Sequence, residues 1–194
     1  MERTNLGVES VPAEIVGNPR VKTLHLGWNN KLNDECLKMA SYVCPNLEVL
    51  NVTYCSGITK EGILQIICLE ISKCRGVNNL ELDFELPKLE VLQAEGLAID
   101  DGTLASIGKR CGRLSRLNLE GCLNVTARGV EGVILNCKAL KEMTLRWCNN
   151  VSLDIVAWMV LSSNLRKITL PCGSVPTANK KDFFLRHGCS VCQG

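Results

Sequence analysis

No apolar run long enough to cross a membrane occurs in this 194-residue chain. The longest beside a candidate helix, Ile155 to Leu161, falls far short of the roughly 20 residues a bilayer span needs. The opening Met-Glu-Arg-Thr-Asn has no apolar core of the signal-peptide kind. These absences lead to the expectation of a cytoplasmic or nuclear protein with reduced thiols and no membrane partner. An excess of one charge is also missing. Lys and Arg number 22, Asp and Glu 20, and the net charge is +2. So balanced a chain offers no uniformly basic groove for nucleic acid. Only the last stretch leans basic, where Arg166, Lys167, Lys180, Lys181 and Arg186 face Asp182 alone; a solvated surface is the preferred reading and an acidic partner the alternative.

Histidine is scarce as well. His25 and His187 are the only two, and they lie far apart along the chain. A nucleophile, base and orienting group would need a cleft to bring them together. No glycine-rich phosphate loop of the G-x-x-x-x-G-K-[ST] type is present, and Gly57, Gly62, Gly121 and Gly129 fall instead at recurring turns and helix starts. The expectation is a protein that is not an enzyme and uses no small-molecule cofactor.

Cysteine, by contrast, is abundant, with 12 residues. A reducing compartment removes the disulfide explanation, and the spacing supplies another. Cys44–Cys55, Cys111–Cys122 and Cys137–Cys148 are each 11 apart, and Cys111–Cys137 and Cys122–Cys148 are each 26 apart. A recurring interval in this range signals stacked repeats. The segments CPNLEVLNVTYCSGIT, CGRLSRLNLEGCLNVT and CKALKEMTLRWCNNVS share the template C-x-x-L-x-x-L-x-L-x-x-C-x-x-I/V-T/S.

The central L-x-L alternates with period two, as a half-buried strand does. Its copies are Leu24/Leu26, Leu50/Val52, Leu69/Ile71, Leu92/Ala94, Leu117/Leu119, Met143/Leu145 and Ile168/Leu170, which predicts seven strands. Val77, Leu80 and Leu82 mimic a strand too. Leu69/Ile71 is preferred, because Cys74-x-x-Val77 then matches Cys55-x-x-Ile58. Asn33, Thr59, Asp100, Thr126 and Ser152 follow at one repeat position, each with a short side-chain oxygen that can cap a helix. Helices are expected over roughly 34–43, 60–67, 101–109, 127–136 and 153–162.

Strand followed by helix, repeated in one direction, gives an α/β leucine-rich-repeat solenoid, a horseshoe with a parallel inner sheet and outer helices. The expected organisation is an N-terminal cap or remnant linker over 1–20, repeats over 21–173 and a C-terminal cap or tail over 174–194.

Cys44, Cys55, Cys74, Cys111, Cys122, Cys137 and Cys148 are read as small apolar side chains packed between copies, with Asn29 and Leu97 standing in where a copy lacks the thiol. The tail holds one C-x-x-C. Cys172, His187, Cys189 and Cys192 form a ligand set that zinc could accept, weighed against a cap that buries the thiols, which is the preferred reading.

The inner face is the expected binding site. One row along it is His25, Asn51, Glu70, Gln93, Asn118, Thr144 and Thr169, and the next is Gly27, Thr53, Ser72, Glu95, Glu120, Arg146 and Pro171. Trp28, Tyr54 and Trp147 stand at the rim, of residue types that anchor interfaces. The alternative reading of these three is that they only cover the turn. A protein target on the concave face is the expected partner.

CPNLEVLNVTYCSGITKEG, CGRLSRLNLEGCLNVTARG and the tail PCGSVPTANKKDFFLRHGCSVC resemble the cysteine-containing repeats of F-box/leucine-rich-repeat proteins, ribonuclease-inhibitor-like in fold and most like plant members. The resemblance implies substrate recognition for a Skp–cullin–F-box ubiquitin ligase in ubiquitin-dependent degradation. The fragment Ser10–Val16 resembles an F-box opening, but an F-box needs more than the twenty or so residues before Leu24. A Skp-type adaptor is therefore expected as a partner only if an F-box is supplied elsewhere. A general interaction scaffold or inhibitor without a ubiquitin link is the alternative.

Overall fold

The structure, a computed structural model, describes residues 17–59, 68–74, 86, 88–152, 164–174 and 176–193. Its strands are β1 (Thr23–His25), β2 (Val49–Asn51), β3 (Cys68–Glu70), β4 (Val91–Gln93), β5 (Arg116–Asn118), β6 (Glu142–Thr144), β7 (Lys167–Thr169) and β8 (Ser190–Cys192). They form one sheet in sequence order, every pair parallel. The register follows the template: Leu24, Leu50, Leu69, Leu92, Leu117, Met143 and Ile168 stand opposite one another in turn. Leu69 is thus the strand residue of its coil, as preferred. The rival stretch around Leu80 lies outside the described residues.

The sheet has eight strands rather than seven. The extra coil comes from the segment expected as a C-terminal cap, where helix α4 (Ala178–Arg186) leads into β8. Thr177 starts that helix by accepting from the Lys180 amide, and Gly188, at φ 71°, turns the chain at its end. Phe184 is fully buried against the preceding coil, and Val191 takes the strand position beside Ile168.

Of the expected helices, α1 (Asp34–Val43), α2 (Asp101–Arg110) and α3 (Ala127–Asn136) form with the anticipated caps. Asn33 accepts from the Cys36 amide, Asp100 from Thr103 and Thr126 from Arg128. The segments 60–67 and 153–162 lie outside the described residues. Each described helix between repeats ends on a cysteine. The amides of Cys44, Cys111 and Cys137 bond back to Ala40, Ile107 and Val133.

The core is a continuous ladder of repeat residues. Val52, Ile71, Ala94, Leu119, Leu145 and Leu170 have no solvent exposure. The repeat cysteines are buried with them, so they do fill the seam between coils. They also donate: Cys55 Sγ to Leu26 O (3.3 Å), Cys74 Sγ to Val52 O (2.8 Å), Cys122 Sγ to Ala94 O (3.2 Å) and Cys148 Sγ to Leu119 O (3.1 Å). A thiol is small, apolar and a weak donor, which suits a seam that must pack tightly beside a carbonyl. Leu97 is a buried substitute, whereas Asn29, in the first described coil, is exposed and turns its oxygen to the Lys31 amide.

A second clasp joins neighbouring coils. Thr126 donates its amide and hydroxyl to the two oxygens of Asp101, at 2.9 and 2.6 Å. Thr59 does the same to Asp34, at 2.8 and 2.5 Å. Each threonine thereby ties its coil to the helix of the coil before.

Candidate functional site

The site is built by the turn that follows each strand. In four coils the amide of the residue at the cysteine position bonds back three residues: Cys55 to Val52 O, Cys74 to Ile71 O, Cys122 to Leu119 O and Cys148 to Leu145 O. In these turns the third residue adopts positive φ, as in a type II turn, a conformation usually filled by Gly or Asn. Here that position is Trp28, Tyr54, Lys73, Gly96, Gly121 and Trp147, with φ of 64, 60, 57, 65, 71 and 61°. The kink lets their amides continue the sheet's hydrogen bonding, from Trp28 N to Thr53 O (2.7 Å), Tyr54 N to Ser72 O (3.0 Å) and Gly121 N to Arg146 O (2.9 Å).

Bulky side chains are costly here. The left-handed region disfavours any L-residue with a Cβ by roughly 1–2 kcal/mol. Yet Trp28, Tyr54 and Trp147 are 76, 42 and 48% exposed. Trp28 and Tyr54 stack with ring centroids 4.0 Å apart, and the Arg146 guanidinium lies 5.8 Å from the Trp147 ring centre. Between the aromatic positions Gly96 and Gly121 leave the rim low, and the Lys73 side chain lies across Gly96.

The strands carry the rest of the wall. His25, Asn51, Glu70, Gln93 and Asn118 stand in one register row. Asn51 donates to Glu70 and accepts from the Thr53 amide at 3.0 Å, and Asn118 accepts from the Glu120 amide at 3.0 Å. Glu95 pairs with Lys73 at 3.0 Å, and Glu120 with Arg146 at 3.7 Å. The Glu95 carboxylate, through its hydrogen bond, holds the Lys73 ammonium above its usual range. These half-exposed pairs contribute little stability, but they fix the side chains in place. The wall is therefore polar, internally paired and bordered by rings.

Sequence reasoning missed a third row. Thr23, Val49, Val91, Arg116, Glu142 and Lys167 open the strands and lie two residues before the recognised row, on the same face. The period-two alternation that located the other rows contains this one too.

Zinc fares differently. Among the described residues no three or more His, Cys, Asp or Glu side chains are grouped to hold a metal ion. Cys172, His187, Cys189 and Cys192 are not gathered. Cys189 is fully buried, with its thiol pushed up to about 11 by that burial, while Cys172 and Cys192 are half-buried. His187 turns Nδ1 to Phe183 O at 2.7 Å.

Comparison with known proteins fits this geometry. Residues 43–66 match the family model described as Leucine Rich repeat. F-box/LRR-repeat protein 4 of Bos taurus is 27% identical over 190 residues, covering 92% of this chain and 28% of that protein. F-box protein MAX2 homolog A of Petunia hybrida is 25% identical over 178 residues, covering 88% of this chain and 23% of that protein. Antagonist of mitotic exit network protein 1 of Candida glabrata is 27% identical over 121 residues, covering 55% of this chain and 24% of that protein. The chain thus spans about a quarter of the length of these curated relatives. The crystal structure of a Rad7 and Elc1 complex in yeast contains a chain of the same fold, with a TM-score of 0.58 at 14% identity, covering 90% of this chain and 56% of that one. The chain is a leucine-rich-repeat solenoid of the kind found in F-box/leucine-rich-repeat proteins.

Proposed function

We propose that the chain is the target-binding part of a ubiquitin-ligase receptor of the Skp–cullin–F-box type, and that it seats a protein on its concave wall and aromatic rim. The observation that carries this reading is the placement of Trp28, Tyr54 and Trp147. Each is exposed, and each occupies a left-handed turn position that glycine fills in the coils of β4 and β5. Backbone strain at an exposed aromatic is spent most sensibly on a partner. The F-box names of the relatives support the ligase half of the reading. On this reading the adaptor is contacted by an F-box and the repeats perform no chemistry. They hold the target for transfer, in the cytoplasm or nucleus.

Capture of proteins from cell extract tests it, using the chain with and without Trp28→Ala, Tyr54→Ala, Arg146→Ala and Trp147→Ala. The expected result is loss of specific partners with an intact melting transition. Undiminished capture by the substituted chain contradicts the reading. Co-purification of the captured target with a Skp-type adaptor, through an F-box chain, distinguishes a ligase receptor from a scaffold with no ubiquitin link.

A further inference from the structure

The concave wall has two borders of unlike electrostatic character. At the border where the strands end, Glu95 and Glu120 are matched by Lys73 and Arg146. At the border where the strands begin, the C-terminal coils carry Arg116, Lys138, Lys141, Arg166 and Lys167, all exposed. None of these five has a carboxylate within 4.0 Å among the described residues. Arg113, in the same border, is already paired with Glu90 at 2.9 Å. Glu142 is the one acid in the row. It lies between Arg116 and Lys167 in the register, so those two side chains are separated by two strand spacings, about 10 Å.

Five exposed cations at one border, none of them in an ion pair and with the single acid Glu142 among them, carry an excess of positive charge and remain solvated. Such a cluster gains most from an anion that the fold itself does not provide. We propose that this border docks an acidic stretch of the protein seated on the wall. The inference rests on the reading of the wall as a protein-binding face. The occupant is a polypeptide because the cations span only the last few coils, Glu142 interrupts them, Glu120 stands further along β5 from Arg116, and Glu70 and Glu95 stand on the wall in the two coils before. A phosphate backbone running across this face would meet carboxylates on its inner side. A peptide can place two or three carboxylates at the border and neutral or apolar residues toward Trp147. The arrangement would also orient the target, with its acidic part at the strand starts and its apolar part at the rim.

Fluorescence anisotropy with a labelled decaglutamate peptide tests the proposal, with labelled decalysine and a 20-nucleotide oligothymidylate as the other probes. Decaglutamate is expected to bind, decalysine not, and the affinity should fall as salt rises from 50 to 200 mM, since exposed charges are screened. Arg116→Glu, Lys141→Glu and Lys167→Glu together should weaken decaglutamate by at least about tenfold. The neutral set Arg116→Gln, Lys141→Gln and Lys167→Gln should weaken it by less, with both sets melting as the parent does. Lys38→Gln, an exposed cation on helix α1 away from this border, should leave decaglutamate binding within about twofold. No binding of decaglutamate, equal affinity after charge reversal, or tighter binding of the oligothymidylate overturns the proposal. Since the peptide probe does not need the aromatic rim, these outcomes are separable from loss or survival of partner capture.

Discussion

The left-handed column divides into two kinds of region that share one backbone. In its middle stand Gly96 and Gly121, and on either side Trp28, Tyr54, Lys73 and Trp147. All six lie within a narrow range of φ, and Gly121 donates to the next coil as Trp28 and Tyr54 do. The turn therefore needs no side chain. Stacking of coils imposes the conformation, and whatever stands on it is free to serve another purpose. At Trp28 and Tyr54 ring stacking returns roughly 0.5–1.5 kcal/mol, so part of the strain is offset within the fold. Trp147 shows no ring partner among the described residues, only the Arg146 guanidinium at 5.8 Å. On the proposed function it is the clearest candidate for an outside contact.

The largest expected effect comes from attacking what lies beneath the column. Leu119, two residues before Gly121, has no solvent exposure. Leu119→Asp buries a carboxylate without a partner, a change of several kcal/mol. Circular dichroism should show loss of the cooperative melting transition. A parent-like melt would mean that the buried column does not hold the coils together.

Alkaline pH strikes the same seam more gently. Burial pushes the Cys74 and Cys122 thiols up to about 11 and Cys148 to about 12. The folded chain thus retains these protons more strongly than the unfolded chain, whose thiols ionise near 9. Their contribution is complete below pH 9 and is lost as pH rises toward 11 and 12. The urea midpoint should fall steadily across that window. Alkylation at pH 8 should mark exposed Cys36 before any seam cysteine.

A smaller change tests the glycine region. A Cβ added at Gly121 meets nothing closer than 3.7 Å, so Gly121→Ala has room and only the conformation opposes it. The expected loss is about 1–2 kcal/mol, or about 2–8 °C in melting temperature for a chain of this size. At Gly96 the added Cβ would come within 2.7 Å of the Lys73 side chain. Gly96→Ala should therefore also disturb the Lys73–Glu95 pair.

Much of the fold was legible because burial repeats. Leu50, Leu69, Leu92 and Leu117 share both a sequence position and a register position. The last coil was not legible, since Val191 sits between Cys189 and Cys192 without the L-x-L signature. Thr177 before the helix and Gly188 after it were the available signals. The rim aromatics were found from their shared repeat position. Their left-handed backbone was not, because no Trp or Tyr announces positive φ. Only Gly96 and Gly121 at the equivalent positions hint at it. Arg166 and Lys167 were visible as part of a basic stretch, but their grouping with Arg116, Lys138 and Lys141 was not, because composition reports net charge and says nothing of which border of a sheet carries it.

Melting temperatures of Trp147→Gly and Trp147→Ala, compared with each other, probe the turn most directly. Both remove the indole and its contacts, and they differ only in whether a Cβ stays on a backbone at φ 61°. Coil stacking that dictates this turn makes the glycine variant the more stable by about 1 kcal/mol, or about 2–4 °C. An alanine variant that melts at the same temperature or higher would show that Trp147 is not held in the strained conformation, and its exposure would then need no partner to explain it.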